Sequence, residues 1–184
     1  MAAYAAPNFF KGARKGLGDS MKALIVFDSK HGTTEEAAQS IAAAVKEAGH
    51  AADLLDLRKK GAAAVALSGY DAVALGGPFY AGRWSRRARA FAAARRADLS
   101  GLPFGLFAIG SNPDLGDKAA RSTLPPSLAS AVSASAYFGG RLDFERLGRL
   151  ERFIVEKVAG TTESSSTLDL GQANGFAAAL IGAA

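Results

Sequence analysis

A short polar loop at residues 29–34 has the residue types best suited to binding a ligand. It separates an apolar run, which predicts a buried strand over 22–27, from an alanine-rich stretch, which predicts a helix over 33–48. Backbone amides and the helix dipole favour an anion at such a junction, so the loop suits a phosphate group. The alternative is an ordinary helix cap, made by a threonine hydroxyl. The candidate binding residues are Ser29, Lys30, His31, Gly32, Thr33 and Thr34.

Two further loops follow strands predicted over 71–77 and 103–110. The first combines glycines, which allow a tight turn, with aromatic side chains, and the second is rich in turn residues with exposed amides. Together with the polar loop they suit a phosphorylated planar aromatic ligand, although the aromatic side chains could instead pack on the following helix. The candidates are Gly77, Pro78, Phe79, Tyr80, Ala81, Gly82 and Trp84 in one loop and Gly110, Ser111, Asn112 and Gly116 in the other.

Strands and helices are predicted to alternate along the chain. The remaining strands are predicted over 51–57 and 134–140, and the other helices over 59–67, 85–97 and 113–132, the last broken at Pro125-Pro126. This pattern indicates an α/β protein with a doubly wound, five-stranded parallel sheet covered on both faces. Such sheets bind ligands at the carboxyl ends of their strands, where the three candidate loops lie.

Composition limits the domain organisation and the kinds of site. The chain has 184 residues with no cysteine and two histidines, so neither a disulfide framework nor a histidine-rich metal site is expected. Residues 1–20 are predicted to form a flexible extension and 21–184 one domain. No apolar run approaches the roughly 20 residues of a membrane span, and the N-terminal segment lacks the apolar stretch of a signal peptide. We therefore expect a soluble, cytoplasmic protein.

The formal net charge is +5, with an isoelectric point near 9.6. A basic surface can simply maintain solubility, or it can attract an anionic lipid surface or a substrate with carboxylate groups. Nucleic acid is the least favoured partner, because no nucleic-acid-binding motif accompanies the basic residues.

The polar loop resembles the first loop of flavodoxins, whose pattern is Ser/Thr-x-Thr-Gly-x-Thr, and the resemblance extends over about residues 21–182. His31 stands where the family has its middle threonine, which removes one expected phosphate hydroxyl; the charge of Lys30 could compensate. The resemblance implies that FMN is the cofactor. It also implies that the second and third loops enclose the isoalloxazine ring.

A closer resemblance is to the branch of flavodoxin-domain proteins that contains the menaquinone-dependent protoporphyrinogen dehydrogenases. It rests on the Gly-Gly-x-Leu-Asp-Phe segment at 139–144, on a helix predicted over 144–159 and on a second one over 170–182. An ordinary flavodoxin ends with one helix after its fifth strand, so this chain is expected to have an extra one. Residues 161–167 are interpreted as a linker.

This second resemblance implies an FMN-dependent oxidoreductase that dehydrogenates a porphyrinogen-like substrate and passes electrons to a quinone. The helix predicted over 144–159 has an apolar stripe, and its basic residues could contact an anionic membrane at the inner face or remain solvated. These basic residues are Arg146, Arg149, Arg152 and Lys157.

Two other functions remain open on the sequence. One is electron transfer between proteins, although the typical flavodoxin carrier is acidic and this chain is basic. The other is an interaction module without flavin, which the Gly32, Thr33 and Thr34 positions argue against. No catalytic residue is assigned; His31 is a candidate base only through its expected closeness to the flavin, and a role in the loop turn is the alternative.

Overall fold

A computed structural model describes residues 20–80, 82–112, 116–142 and 164–184. Five parallel strands form the central sheet in the order β2-β1-β3-β5-β6, so the direction of winding reverses between β1 and β3. A short β4 pairs antiparallel with the end of β3. The predicted fold class is confirmed. The strands are β1 Lys22–Phe27, β2 Ala51–Asp56, β3 Ala72–Tyr80, β4 Arg83–Trp84, β5 Phe104–Ile109 and β6 Val132–Tyr137.

Helices cover both faces of the sheet because alternate residues of each strand point to opposite sides. The helices are α1 Thr33–Glu47, α2 Arg86–Ala94, α3 Arg96–Ser100, α4 Asp117–Ser122, α5 Pro126–Ala131 and α6 Gln172–Ile181. In β1, Ala23, Ile25 and Phe27 pack towards α1 and α6, whereas Leu24 and Val26 pack towards the other helices. None of the helices in the described part of the chain is long and apolar enough to cross a membrane.

Three phenylalanines hold the α1 and α6 side of the sheet together. The rings of Phe107, Phe138 and Phe176 contact one another edge to face, with centroids 6.1 to 6.4 Å apart. Glycine at position 76 makes this packing possible, since a Cβ there would lie 2.0 Å from the Phe107 ring. The Phe107 ring of the neighbouring strand β5 therefore occupies the space that a side chain at position 76 would need.

The boundaries of several elements differ from the prediction. In place of a helix over 59–67 there is only a 3-10 turn, Ala62–Ala64, which follows Gly61 in a left-handed conformation (φ 84°). The helix predicted over 85–97 is interrupted at Arg95, whose guanidinium donates to the Val65 carbonyl and contacts Asp98. The contact with Val65 spans thirty residues of sequence, so helical periodicity alone could not reveal it.

The predicted third strand continues past residue 77 to Tyr80, because β4 turns back and pairs with it. The predicted fifth strand begins earlier, at Val132. The predicted break at Pro125-Pro126 is confirmed; Pro126 begins α5, where its missing N–H costs nothing.

The end of the chain contains one further small sheet. Part of the predicted linker is a strand, β8 Ser165–Ser166, which pairs antiparallel with β7 Arg141–Leu142. The helix predicted over 170–182 is α6. The helix predicted over 144–159 and all but the last residue of the predicted extension 1–20 lie outside the described residues.

Candidate functional site

The loop after β1 leaves the N-terminus of α1 without a side-chain cap. Gly32 adopts a left-handed conformation (φ 93°), its amide bonds back to Ser29 Oγ at 3.1 Å, and its carbonyl accepts the first helical hydrogen bond, from Glu36. The first-turn amides therefore meet no capping side chain in this structure. Such amides, together with the positive end of the helix dipole, can hold a phosphate dianion.

Side chains of the same loop differ in exposure. Lys30 is exposed, and Ser29, His31 and Thr33 are half-buried, whereas Thr34 is 2% exposed. A Cβ at Gly32 would meet no atom within 4 Å, so this glycine serves the backbone conformation and leaves open space beside the helix. Sequence reasoning could name these six residues but could not rank them by accessibility.

The loop after β3 is a hairpin that separates its two large aromatic residues. Trp84 is 1% exposed and packs in the core on the α2 side, and its indole N–H donates to the Gly77 carbonyl at 2.9 Å. Tyr80 is 50% exposed. Because Tyr80 pairs with Arg83 and Phe79 with Trp84, alternate residues of the hairpin point in opposite directions. Trp84 therefore packs beside the following helix, which was the alternative to ligand binding, and Tyr80 is the aromatic side chain left at the surface.

The loop after β5 is braced by residues that follow β6. The Gly110 amide donates to the Gly139 carbonyl at 2.9 Å, and the Tyr137 hydroxyl donates to the Gly110 carbonyl. A Cβ at Gly140 would lie 2.6 Å from the Gly110 carbonyl carbon, so the two chain segments are in close contact. Ser111 and Asn112 remain exposed at the tip.

Burial raises the pKa of Tyr137 above its ordinary value, because an anionic phenolate is disfavoured away from water. The third loop thus has a fixed anchor on an adjacent strand. The role of Tyr137 was not predicted from the sequence; the nearest signal is the glycine pair at 139–140, which also carries part of the family resemblance.

A buried carboxylate lies directly before the first loop. Asp28 is 8% exposed, and its Oδ2 accepts a hydrogen bond of 2.6 Å from Ser85 Oγ, which also accepts from the Ala88 amide and so caps α2. One guanidinium nitrogen each of Arg58 and Arg87 lies 3.8 Å from Asp28 Oδ1, which has no hydrogen-bond partner. Asp28 therefore connects the ends of β1 and β2 with the start of α2.

An ion pair connects the segment after β6 with the start of α1. The Arg141 guanidinium donates to the Glu36 carboxylate at 2.9 Å, and both side chains are about half exposed. Since Arg141 follows the glycine pair that contacts the third loop, this segment lies beside both the first and the third loop. It is a fourth component of the site.

The structure brings the three predicted loops to one edge of the sheet, at the carboxyl ends of the neighbouring strands β1, β3 and β5. Ala81 lies outside the described residues. The residues that brace the loops could not be identified from local sequence patterns, because each acts through a long-range contact. These residues are Asp28, Glu36, Arg58, Ser85, Arg87, Tyr137, Gly139, Gly140 and Arg141. In the described ranges, no group of three or more His, Cys, Asp or Glu residues could hold a metal ion.

The model of the flavodoxin domain family matches residues 24–169, so the chain belongs to the flavodoxin domain family. This membership indicates that the cofactor is FMN. Among curated protein sequences, none matches the chain significantly.

Solved structures support the same fold. Oxidised flavodoxin 2 from Bacillus cereus is 20% identical, with a TM-score of 0.57 over 89% of this chain and 99% of that chain. Flavodoxin 1 from the same organism is 18% identical, with a TM-score of 0.56 over 88% of this chain and 97% of that one. The rubredoxin oxygen:oxidoreductase of Desulfovibrio gigas is 14% identical, with a TM-score of 0.56 over 88% of this chain. This chain covers only 36% of that protein's length.

The residues present fit an FMN group. The uncapped amides of α1, with Lys30 beside them, suit the phosphate, and the exposed Tyr80 supplies an aromatic face of the kind that stacks on a flavin ring. The braced loop at Gly110 offers a rigid backbone on the adjacent strand.

Proposed function

We propose that the protein is an FMN-dependent oxidoreductase that uses the loops after β1, β3 and β5 as its cofactor site. The observation on which this proposal chiefly rests is the uncapped N-terminus of α1, with Lys30 exposed beside it, at the edge where the sheet reverses its winding. The amides of the first turn, with the hydroxyls of Ser29, Thr33 and Thr34 as further donors, would hold the phosphate. Bound FMN would supply the redox chemistry.

The chain's own residues would orient the flavin. Tyr80 would cover one side of the ring system, while the loop at Gly110 would border its other side. The hydroxyl of Tyr137 and the close contact of Gly140 keep the Gly110 loop in place. No residue is assigned as a general base, and His31 stays a candidate only through its position in the first loop.

For the substrate, we propose a porphyrinogen-like molecule, with a quinone as electron acceptor. Support comes from the residues that resemble the protoporphyrinogen dehydrogenase branch and from arginines near the site, such as Arg58 and Arg87, which suit the carboxylates of such a substrate. Contact with an anionic membrane through the helix predicted over 144–159 stays a prediction, because this segment lies outside the described residues.

Electron transfer between proteins is the second candidate function. It is supported by the accessible position of Tyr80, since an exposed flavin edge beside it could pass electrons to a docked protein. The two functions differ in whether a small organic donor can reduce the flavin directly.

The cofactor site is tested by titrating the protein, stripped of flavin, with FMN and with riboflavin, which lacks the phosphate. In Thr33→Val/Thr34→Val we expect FMN affinity to fall about tenfold or more, because a hydrogen bond to a charged group contributes about 1.5–3 kcal/mol. Riboflavin affinity should change little. Thr123→Val, at the end of α4, is the control and should bind FMN as the wild type does. Unchanged FMN affinity in the double variant would contradict the phosphate assignment.

The reaction is tested by mixing the FMN-loaded protein anaerobically with protoporphyrinogen and then adding menadione. If protoporphyrinogen bleaches the flavin absorbance and menadione restores it, the dehydrogenase function is supported. A flavin that stays oxidised with protoporphyrinogen, but is reduced and reoxidised by protein donors and acceptors, would instead support the carrier function.

A further inference from the structure

Positive charge is concentrated on one side of the candidate site. Residues 57–60 and 82–89 together hold seven basic and no acidic residues, in a chain whose whole formal charge is +5. We call these two segments the basic rim. Its basic residues are Arg58, Lys59, Lys60, Arg83, Arg86, Arg87 and Arg89.

The two segments of the basic rim are neighbours in space. Arg58 follows β2 and Arg87 lies in the first turn of α2, yet both guanidinium groups lie 3.8 Å from the same oxygen of Asp28. The Arg95 guanidinium, at the end of α2, donates to the carbonyls of Ala63 and Val65. Loop and helix therefore lie side by side, with Arg58 and Arg87 on one surface.

Most of this charge is not neutralised within the described residues. Lys59, Lys60, Arg83 and Arg86 are exposed and have no ion pair there. The nearby carboxylates are those of Asp28, which is buried, and Asp56, whose Oδ1 accepts from the Arg58 amide. Like charges gathered in this way repel one another, and a negatively charged partner removes that repulsion.

The basic rim also borders the candidate flavin site. Asp28, which orients two of its arginines, directly precedes the first loop, and Arg83 pairs with the exposed Tyr80 across the hairpin. A partner attracted to the rim would therefore come to rest next to the aromatic loop.

We propose that the basic rim is the docking surface for an acidic protein. Arginine accounts for five of its seven basic residues, and the planar guanidinium forks of arginine match protein carboxylates. The neighbouring Tyr80 is a residue type enriched at protein interfaces. A membrane surface fits less well, since Phe91, Ala88 and Ala92 of α2 are buried against the sheet and leave no apolar face to insert. Passing electrons through this contact rests on the proposed FMN site; the docking itself does not.

The test compares two variants that lose the same charges, one lysine and one arginine each. Lys60→Gln/Arg86→Gln removes charge from the rim. Lys46→Gln/Arg96→Gln removes charge near the amino-terminal edge of the sheet, far from the three candidate loops. Lys46 is in the last turn of α1, and Arg96 begins α3. All four side chains are exposed, and none belongs to the proposed cofactor site. Binding of a fluorescein-labelled oligoglutamate peptide is measured by anisotropy at low and high salt.

We expect the peptide to bind the wild type at low salt and to dissociate at high salt. The rim variant should bind about fivefold more weakly, and the matched variant should stay within about twofold of the wild type. Equal weakening in both variants would overturn the proposal, because only net charge would then matter. Rim-dependent binding to phosphatidylserine vesicles without peptide binding would also overturn it, in favour of a membrane. Peptide binding in a protein that fails to bind FMN would keep the docking surface and refute the proposed function.

Discussion

Charged side chains are paired differently at the two edges of the sheet. At the amino-terminal edge, the Lys22 ammonium lies 2.7 Å from Asp53 and 5.0 Å from the centre of the Tyr70 ring, and Tyr70 donates to the same carboxylate at 2.9 Å. The hydrogen bond from Lys22 lowers the pKa of Asp53, and the cluster is neutral overall. At the carboxyl edge, one buried Asp28 faces two arginines, and further basic residues have no counterion among the described residues.

The difference suggests that the polar groups of the amino-terminal edge contribute to stability, whereas those of the carboxyl edge are available for binding. At the amino-terminal edge, Lys22, Asp53 and Tyr70 satisfy one another's polar groups, so this cluster needs no further partner. The carboxyl edge leaves helix amides, an aromatic ring and positive charge accessible, and it needs long-range contacts to hold its loops in place. Substitutions at matched positions of the two edges can test this comparison.

The largest expected effect is at Gly139, whose φ of +71° favours glycine and whose Cβ would lie 2.0 Å from the Thr167 carbonyl oxygen. Gly139→Ala should reduce the free energy of unfolding by about 3 kcal/mol or more, since conformational strain and a backbone clash add. Gly49→Ala is the control at the other edge: its φ is +88° but its Cβ would meet nothing within 4 Å, so the loss should be about 1 kcal/mol. Urea denaturation measures both, and equal losses would show that the close approach of Thr167 to Gly139 does not add to the cost of the substitution.

The second effect concerns Ser85, which caps α2 and donates to the buried Asp28. Ser85→Ala should reduce the free energy of unfolding by about 2 kcal/mol, because it removes a helix cap and a hydrogen bond to a charged group. Ser122→Ala, on the exposed surface of α4, should change it by less than about 0.5 kcal/mol. Asp53→Ala should cost less than Ser85→Ala, because the Asp53 side chain is 47% exposed. If Asp53→Ala proves the more destabilising, the distinction between the two edges is wrong.

Two large apolar side chains are exposed in the described structure, and they test the cofactor site. Tyr80, at the carboxyl edge, is 50% exposed, and Leu54, in β2, is 44% exposed. Tyr80→Ala should weaken FMN binding about fivefold, as expected for the loss of one aromatic stacking contact. Leu54→Ala should leave it unchanged. Fluorescence titration with FMN measures both, and equal affinities in the two variants would exclude Tyr80 from the flavin site.

The smallest effect concerns the pH dependence of stability. Burial raises the pKa of Tyr137, and burial together with a hydrogen bond to Asp53 raises that of Tyr70. Each raised pKa stabilises the folded state below the ordinary tyrosine value of 10.0, and this contribution is lost as pH rises through the folded-state pKa. Unfolding free energies measured from neutral pH to above pH 10 should therefore decline, and less steeply in Tyr137→Phe and in Tyr70→Phe. A decline of unchanged slope in either variant would contradict the shift at that tyrosine.

Local sequence was sufficient to predict the sheet and the first loop. The apolar runs at β1, β3 and β5 are continuous because these strands are buried on both faces, and a glycine followed by two threonines marks the start of α1. These signals lie within a few residues of the structure that they specify. Two predictions were wrong: the helix over 59–67 and the extent of α2. In this region Arg95 bonds to a loop thirty residues away, which local patterns do not show.

The amino-acid sequence by itself thus determined the fold class, the edge of the sheet at which the candidate loops lie and the chemical character of those loops, because hydrophobic periodicity and helix-start signals are local. Only the tertiary structure decided that Trp84 packs inward while Tyr80 stays exposed, since the hairpin pairing sets which way each side chain points. It also decided that Asp28 gathers Arg58 and Arg87, residues thirty and fifty-nine positions away, into one surface. Such contacts depend on how the strands are ordered in the sheet, and no pattern of neighbouring residues contains that information.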